Sequence, residues 1–309
     1  MPENSQSRPQ LCCEGSLEVG EPLMATAALT QVWLLLEHTA AWGAKALPES
    51  NLPDNVKSFF NHHLKFITNS RFQFIKQSAR VDGNPRFYVT CSRPGKSVTY
   101  EFHLSLDELI TLDIPAIIAG APEYGSAIYT APLFLVCTNG RRDLACARYG
   151  LPLYQAMSSF AGQSVWQTTH IGGHRFAGTL VCLPEGIYYG RVSPDDVENL
   201  VTEHRAGRIY LDHYRGHSVY DAPVQAAEHF LRQKTGIVDI DGLQHITLEQ
   251  HNEHWWTVDF RVGATLHHLE ITNRLSDFEL YESTANTEKN RVTLYELHHY
   301  ETRTHQPPV

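Results

Sequence analysis

The sequence predicts an α/β fold built from three successive units behind a short polar tail. Its 309 residues are enough for two or three domains. Apolar residues make up 42% of the chain and charged residues 19%, so sizeable hydrophobic cores are possible. A similar order of strand and helix signals occurs twice before the pattern changes near residue 223. We expect a flexible tail over 1–24 and three units over 25–125, 126–222 and 223–309.

The first unit begins with an apolar run over 32–37 that is followed by turn signals and predicts a buried strand. A helix over 50–64 is introduced by the Pro53-Asp54 pair. Three further strands and a short helix with acids in its first turn complete the unit, at 72–75, 87–90, 98–104 and 106–110.

The second unit repeats this order and ends in a hairpin and a helix. A strand, a helix and a second strand are predicted at 132–137, 147–160 and 165–169. The turn sequence Pro184-Glu-Gly186 joins strands at 179–183 and 187–192, and Ser193-Pro194 then starts a helix that runs to about His204. One strand, one helix, three strands and one helix form a thioredoxin-like layout, which predicts two thioredoxin-like units in tandem.

The last unit has a different character. A helix over 223–234 is followed by alternating apolar and polar runs at 246–248, 256–262, 265–272 and 291–298. This order predicts a small α+β module that consists of one helix and an antiparallel sheet. The many histidines of this region form no pattern that predicts a shared chemical task.

The overall charge limits the classes of partner. The formal net charge is −9, so clustered cations for binding nucleic acid are not expected, whereas docking against a basic patch on a partner suits it. Residues 1–21 lack a signal-peptide pattern, and the apolar stretches are too short to cross a bilayer. We therefore expect a cytoplasmic protein. In such a reducing compartment, spaced cysteines are candidates for metal binding or redox chemistry rather than disulfides.

Four residues of the second unit carry the candidate chemistry: Cys137, Cys146, His170 and His174. Eight residues separate the two cysteines, and three separate the two histidines. The predicted layout places the cysteines in the loop after the first strand and the histidines in the loop after the second. Both loops leave the sheet at the same end, so the side chains can converge. Two thiolates and two imidazoles suit a tetrahedral metal ion or a two-iron cluster.

The spacing leaves several interpretations open. A zinc metalloprotease would carry His-Glu-x-x-His, but Ile171 follows His170. A dithiol oxidoreductase would carry Cys-x-x-Cys, and the two cysteines are too far apart for that motif. Structural zinc sites usually have shorter spacing between cysteines, although the ligand types are suitable. An iron–sulfur cluster, a zinc site, and buried cysteines beside incidental histidines therefore all remain possible.

The same residues carry a resemblance to a known family. The segments Leu133-Phe-Leu-Val-Cys-Thr-Asn-Gly-Arg-Arg-Asp143 and His170-Ile-Gly-Gly-His174 resemble the sucrase/ferredoxin-like family of thioredoxin-like ferredoxins. The resemblance covers about 25–222, and the segment from Trp33 to Gly43 resembles its bacterial members. One minor difference is Ala145, where bacterial members often have a second cysteine.

This resemblance implies a [2Fe-2S] cluster that is bound by Cys137, Cys146, His170 and His174. It implies electron transfer or redox sensing with an unidentified redox partner protein, either a reductase or an electron acceptor. An electron carrier is favoured over a catalyst, because the sequence has no hydrolase or glycosidase signature. The alternative is a zinc-stabilised interaction module that has no redox activity.

Three arginines flank the candidate ligands, namely Arg141, Arg142 and Arg175. They are either solvated loop cations or residues that tune the charge of the centre or contact an acidic redox partner. The vicinal Cys12 and Cys13 lie in the predicted tail, where we expect exposed or partly covered thiols.

Overall fold

The computed structural model describes residues 10–78 and 83–304. The helices within these ranges are α1 Cys12–Glu18, α2 Asp54–Phe66, α3 Leu106–Leu109, α4 Ile114–Ala119, α5 Leu144–Ala161, α6 Val197–Arg205 and α7 Ala222–Thr235. The strands in the first two predicted units are β1 Val32–Glu37, β2 Ser70–Lys76, β3 Arg86–Cys91, β4 Val98–His103, β5 Ile128–Tyr129, β6 Leu133–Cys137, β7 Val165–Thr168, β8 Leu180–Leu183, β9 Ile187–Tyr189 and β10 Tyr214–His217. The later strands are β11 Gln244–Asn252, β12 Trp255–Val262, β13 Thr265–Leu275 and β14 Thr293–Thr304.

The strands of the described residues form two sheets. The larger has the order β10-β9-β8-β6-β7-β2-β1-β3-β4-β5, and the smaller has the order β11-β12-β13-β14. Within the larger sheet, the strand order β2-β1-β3-β4 is repeated as β7-β6-β8-β9. In the first repeat, β1 is parallel to β2 and antiparallel to β3. In the second repeat, β6 is parallel to β7 and antiparallel to β8. This arrangement confirms the predicted α/β fold with two thioredoxin-like units followed by an α+β module.

The two repeats are joined edge to edge. Strands β2 and β7 pair in an antiparallel manner, with Ile75 opposite Thr168. The central strands β1 and β6 are buried over nearly their whole length, which explains why they read as unbroken apolar runs. Helix α5 lies close against β6 because Gly150 faces the Cys137 carbonyl, where a Cβ atom would overlap with the carbonyl oxygen.

The C-terminal module packs one helix on its four-stranded sheet. Apolar residues of α7, including Ala227 and Leu231, share a buried core with Val258 and Leu269 of the sheet. The helix also faces the larger sheet, because Tyr214 in β10 donates a hydrogen bond to the buried Glu228 at 2.7 Å. The module is therefore connected to the second thioredoxin-like unit through buried contacts.

The N-terminal segment differs from the flexible tail that the sequence predicts for 1–24. Helix α1 buries Cys12 and Cys13, and Leu11 packs with them against Ala145 and Ala177. The thiols are therefore not exposed, and the physical reason is an apolar Leu-Cys-Cys triplet inside an otherwise polar segment. Residues 1–9 lie outside the described ranges.

Several element boundaries also differ from the predictions. Strand β9 ends at Tyr189, and the helix after Ser193 starts as a 3-10 turn over Pro194–Asp196 before it continues as α6. Helix α4 was not predicted at all. Within the described ranges, none of the helices is both long enough and apolar enough to cross a bilayer.

Candidate metal centre

Three of the four predicted ligands converge at one end of the larger sheet. Cys137 is the last residue of β6, Cys146 lies in the first turn of α5, and His170 follows β7. The Nδ1 atom of His170 lies 3.9 Å from the Cys137 Sγ atom and 3.7 Å from the Cys146 Sγ atom. All three donor atoms lie within 4.8 Å of one another. The parallel β6–β7 pair explains this convergence, because both strands leave the sheet at the same edge.

The two cysteine side chains are buried and are hydrogen-bonded to each other. The Cys146 thiol donates a hydrogen bond that, with help from His170, lowers the pKa of Cys137 well below its ordinary value despite burial. The same contact and burial raise the pKa of Cys146. One thiolate is thus favoured in the folded protein, and a cation placed between the sulfur atoms would favour the second.

The fourth predicted ligand, His174, lies beside this group but faces different neighbours. Its ring centroid is 5.1 Å from that of His170. Its Nδ1 atom lies 3.4 Å from the Cys12 Sγ atom and 3.5 Å from an Asp143 carboxylate oxygen. Cys12, Asp143 and His174 form a second set whose donor atoms all lie within 4.8 Å of one another. The structure therefore arranges the site as two adjacent triads.

Asp143 is the centre of a hydrogen-bond network beside His174. Its buried carboxylate accepts hydrogen bonds from the Ala145 N–H at 2.9 Å, the Thr284 N–H at 2.9 Å, the Thr284 hydroxyl at 2.7 Å and the Ser283 hydroxyl at 3.0 Å. Burial alone would raise the pKa of Asp143, but the hydrogen bonds from Thr284 and Ala145 outweigh burial and lower it. Asp143 is therefore an ionised acceptor that links α5 to the C-terminal module.

This network determines which proton His174 carries. Burial lowers the pKa of His174 to about 4, so its imidazole is neutral at pH 7. Its Nδ1 atom faces the Asp143 carboxylate and the Cys12 sulfur, and the Cys12 thiol itself lies 3.8 Å from that carboxylate. Because the ionised Asp143 carboxylate can accept a hydrogen bond from Nδ1, the Nδ1–H tautomer is favoured. The Nε2 lone pair of His174 is then the one available to a metal.

The loop between the two histidines is held by a buried arginine. Arg215 donates hydrogen bonds to the Gly172 carbonyl at 3.2 Å and to the Thr26 carbonyl at 2.6 Å. Gly173 has φ +74°, and a Cβ atom there would overlap with the Arg215 guanidinium. Glycine is thus required at this position for both backbone conformation and space.

The three flanking arginines have different environments. Arg141 and Arg142 are exposed and form no salt bridge with any described residue. Arg175 instead donates a hydrogen bond at 2.6 Å to the buried Glu21. Arg141 and Arg142 remain candidates for partner contact, whereas Arg175 has a structural partner.

Sequence reasoning missed four polar residues of the site: Cys12, Asp143, Ser283 and Thr284. Only Asp143 has a local signal, because an Asp directly before a helix predicts an N-cap, and its side chain does accept from the Ala145 N–H. The other three come from segments more than 100 residues away in the chain, and no spacing pattern connects them with the cysteines.

Known proteins are similar to this chain over part of their length. A protein named "Altered inheritance of mitochondria protein 32" from Meyerozyma guilliermondii is 36% identical over 106 residues, which is 31% of this chain and 38% of that protein. Its namesake from Clavispora lusitaniae is 32% identical over 96 residues, covering 28% of this chain and 35% of that protein. The aligned region thus spans little more than a third of the length of these curated relatives.

Two solved structures are also similar in part, and both are cysteine-to-serine variants of the thioredoxin-like [2Fe-2S] ferredoxin from Aquifex aeolicus. Each is 20% identical and covers 27% of this chain and 97% of the ferredoxin, with TM-scores of 0.24 and 0.25. The family described as sucrase/ferredoxin-like matches residues 23–216, which is more than half of the sequence. The chain belongs to the sucrase/ferredoxin-like family.

Proposed function

We propose that this chain is an electron-transfer or redox-sensing protein with a [2Fe-2S] cluster bound by Cys137, Cys146, His170 and His174. The observation that carries the proposal is the convergence of two thiols and one imidazole within 4.8 Å, with a second imidazole ring 5.1 Å from the first. When bound, such a cluster takes up and releases one electron.

The residues fit this group chemically. Cys137 and Cys146 supply the sulfur ligands that iron–sulfur clusters use, and the lowered pKa of Cys137 favours a thiolate. His174 is neutral at pH 7, as a metal ligand must be, and it lies against the ionised Asp143. A carboxylate beside a ligating histidine fixes the ring orientation and raises the basicity of the ligand.

The two histidines would have different surroundings. Helix α1 and residues Ser283 and Thr284 cover the His174 side through Cys12 and Asp143. His170 instead lines an open cleft on the other side of the centre. We infer that His170 is the ligand through which electrons enter and leave, because it is the ligand nearest to a partner docked at that cleft.

A zinc-stabilised module without redox activity is the second candidate, and one observation favours it. The sulfur-to-nitrogen distances of 3.7 and 3.9 Å between the cysteines and His170 suit three ligands of a single tetrahedral ion. His174 would then act only within the second triad. Metal content distinguishes the two candidates directly.

The test is anaerobic purification followed by iron, zinc and acid-labile sulfide analysis. We expect a coloured protein whose visible absorption is bleached by dithionite, and we expect Cys137→Ala, Cys146→Ala, His170→Ala and His174→Ala each to lose this absorption. Cys91→Ala is the matched control, because Cys91 is a buried thiol in β3 outside both triads. A colourless protein with stoichiometric zinc would contradict the proposal.

The redox partner of this chain and its location in the cell are also proposals. We propose a redox partner protein that acts as a reductase or an electron acceptor. The cytoplasmic location expected from the sequence stays a prediction, and the relatives are named for the inheritance of mitochondria.

A further inference from the structure

Two clefts adjoin the candidate metal centre on its open side. The first has a volume of about 430 Å³, lies between β2 and the loop after β6, and is lined by His170. The second has a volume of about 620 Å³ and is lined by Trp42 and Leu144. Asn139 lines both clefts and donates a hydrogen bond to the Gly43 carbonyl at 3.1 Å. The two clefts therefore adjoin each other at Asn139.

The lining of the two clefts is cationic. The charged residues that line the two clefts are Lys45, Arg71, Lys76, Arg141 and Arg142, and we call this set the cationic face. Neither lining contains an aspartate or a glutamate. The chain as a whole has a formal net charge of −9, so the local charge is opposite to the overall charge.

Three residues of the cationic face are exposed to a partner, namely Lys45, Arg141 and Arg142. Arg71 and Lys76 are partly buried, and the Lys76 Nζ atom lies 4.2 Å from the centroid of the Trp42 ring. Within the described residues, none of the five forms a salt bridge, although many other arginines of the chain do. Arg71 is fixed by hydrogen bonds to the Ile171 carbonyl at 2.5 Å and the Tyr188 hydroxyl at 3.1 Å. Arg141 and Arg142 are exposed to solvent, and Leu144, the first residue of α5, is 61% exposed.

We propose that the cationic face is the docking site for an acidic patch on a redox partner protein. This inference rests on the proposed electron-transfer function. A protein suits the site better than a small anion, because the cations are spread over two clefts and are interrupted by an exposed leucine. Transient electron-transfer complexes have small interfaces that combine a few apolar contacts with charge complementarity. Of the two partner types considered from the sequence, the cationic face favours the acidic partner expected for Arg141 and Arg142 over the basic partner that suits the net charge.

The test uses two protein probes of opposite charge. An acidic flavodoxin in its hydroquinone form reduces the oxidised protein, and basic cytochrome c oxidises the reduced protein, both in a stopped-flow instrument. At low ionic strength, we expect Arg141→Glu/Arg142→Glu to slow the flavodoxin reaction by about tenfold or more and to accelerate the cytochrome c reaction. Both effects should fade as salt screens the charges.

The matched control is Lys234→Glu/Arg303→Glu, which makes the same change in net charge on exposed positions of the C-terminal module. It should leave both rates close to those of the unmodified protein. A second readout needs no electron transfer: carbodiimide joins lysine amines to carboxylates in contact, and we expect Lys45 or Lys76 to be cross-linked to flavodoxin.

Three outcomes would overturn the docking proposal. The first is equal rates for the charge-reversed and unmodified proteins, and the second is equal effects of both double variants. The third is cross-linking confined to lysines outside the cationic face. A wild-type protein that dithionite cannot reduce would instead refute the proposed function, and the cross-linking result would still report on the face.

Discussion

Replacing Asp143 with asparagine tests whether the hydrogen-bond network beside His174 supports the centre. The carboxylate accepts from four N–H or O–H donors, which belong to Ala145, Ser283 and Thr284. An asparagine keeps one oxygen, which can still accept from the Ala145 N–H and the Thr284 hydroxyl. Its NH2 group replaces the second oxygen and meets the Thr284 N–H, where two donors face each other.

The magnitude follows from these contacts. A buried donor left without an acceptor costs about 1–3 kcal/mol. The two hydrogen bonds that remain lose the contribution of the negative charge, about 1 kcal/mol each at most. The Ser283 hydroxyl can rotate and accept from the new amide, so it adds little. We expect the free energy of unfolding of Asp143→Asn to fall by about 2–4 kcal/mol and metal affinity to fall by about 10–100-fold.

The assay is urea unfolding of the metal-free protein, combined with the rate at which a chelator removes iron from the loaded protein. Asp277→Asn is the matched control, because Asp277 has an exposed side chain outside the network. It should change neither quantity. An Asp143→Asn variant that unfolds at the wild-type urea concentration and retains iron equally well would refute the role given to Asp143.

Further predictions concern the loop between the histidines and His174 itself. Gly173→Ala should lower the free energy of unfolding by more than Gly207→Ala in urea titrations, because both glycines have positive φ but only Gly173 faces Arg215; equal losses would contradict the packing argument. The pKa of His174 is about 4 in the folded chain against an ordinary value of 6.5, so only the unfolded chain takes up this proton as pH falls below 6.5. The metal-free protein should therefore lose up to about 3 kcal/mol between pH 6.5 and pH 4 from this residue, and the pH dependence of urea unfolding should be smaller in His174→Gln. In the loaded protein, His174→Cys should lower the reduction potential by on the order of 100 mV, because a thiolate adds negative charge. Since oxidised iron acidifies an imidazole N–H, the wild-type potential should fall as pH rises in voltammetry, and an unchanged slope in His174→Cys would count against histidine ligation.

The predicted fold and the convergence of Cys137, Cys146 and His170 depend on local patterns. Buried strands read as apolar runs, and residues that follow neighbouring parallel strands meet at one sheet edge. The burial of His174 depends instead on segments that are far apart in the sequence, namely α1 and the segment that contains Ser283 and Thr284. Nothing near Cys12 in the sequence indicates that it lies beside Thr284, with a thiol-to-hydroxyl distance of 3.4 Å.

Net charge was a poor guide to the surface near the centre. A formal charge of −9 describes the whole chain, whereas a partner meets only the side chains that face it. The fold brings Lys45, Lys76 and Arg141 together from three separate segments, and this clustering has no signature in composition. The acidic side chains contribute to the net charge but do not line these clefts.

The C-terminal module gains a structural role that the sequence did not indicate. Ser283 and Thr284 donate to Asp143, so the module supports the wall of the candidate centre rather than supplying chemistry of its own. Two histidines of the module have partners within it: His267 contacts the Tyr300 hydroxyl at 2.9 Å, and His268 contacts Asp259 at 2.7 Å.

Pulsed electron-paramagnetic-resonance spectroscopy of the dithionite-reduced protein tests the central claim most directly. Nitrogen hyperfine couplings report which histidines bind iron. We expect a [2Fe-2S] signal with couplings from two coordinating imidazoles, one of which is absent in His174→Cys and the other in His170→Cys. A signal without coordinated nitrogen, or a reduced protein that gives no paramagnetic signal, would contradict the claim.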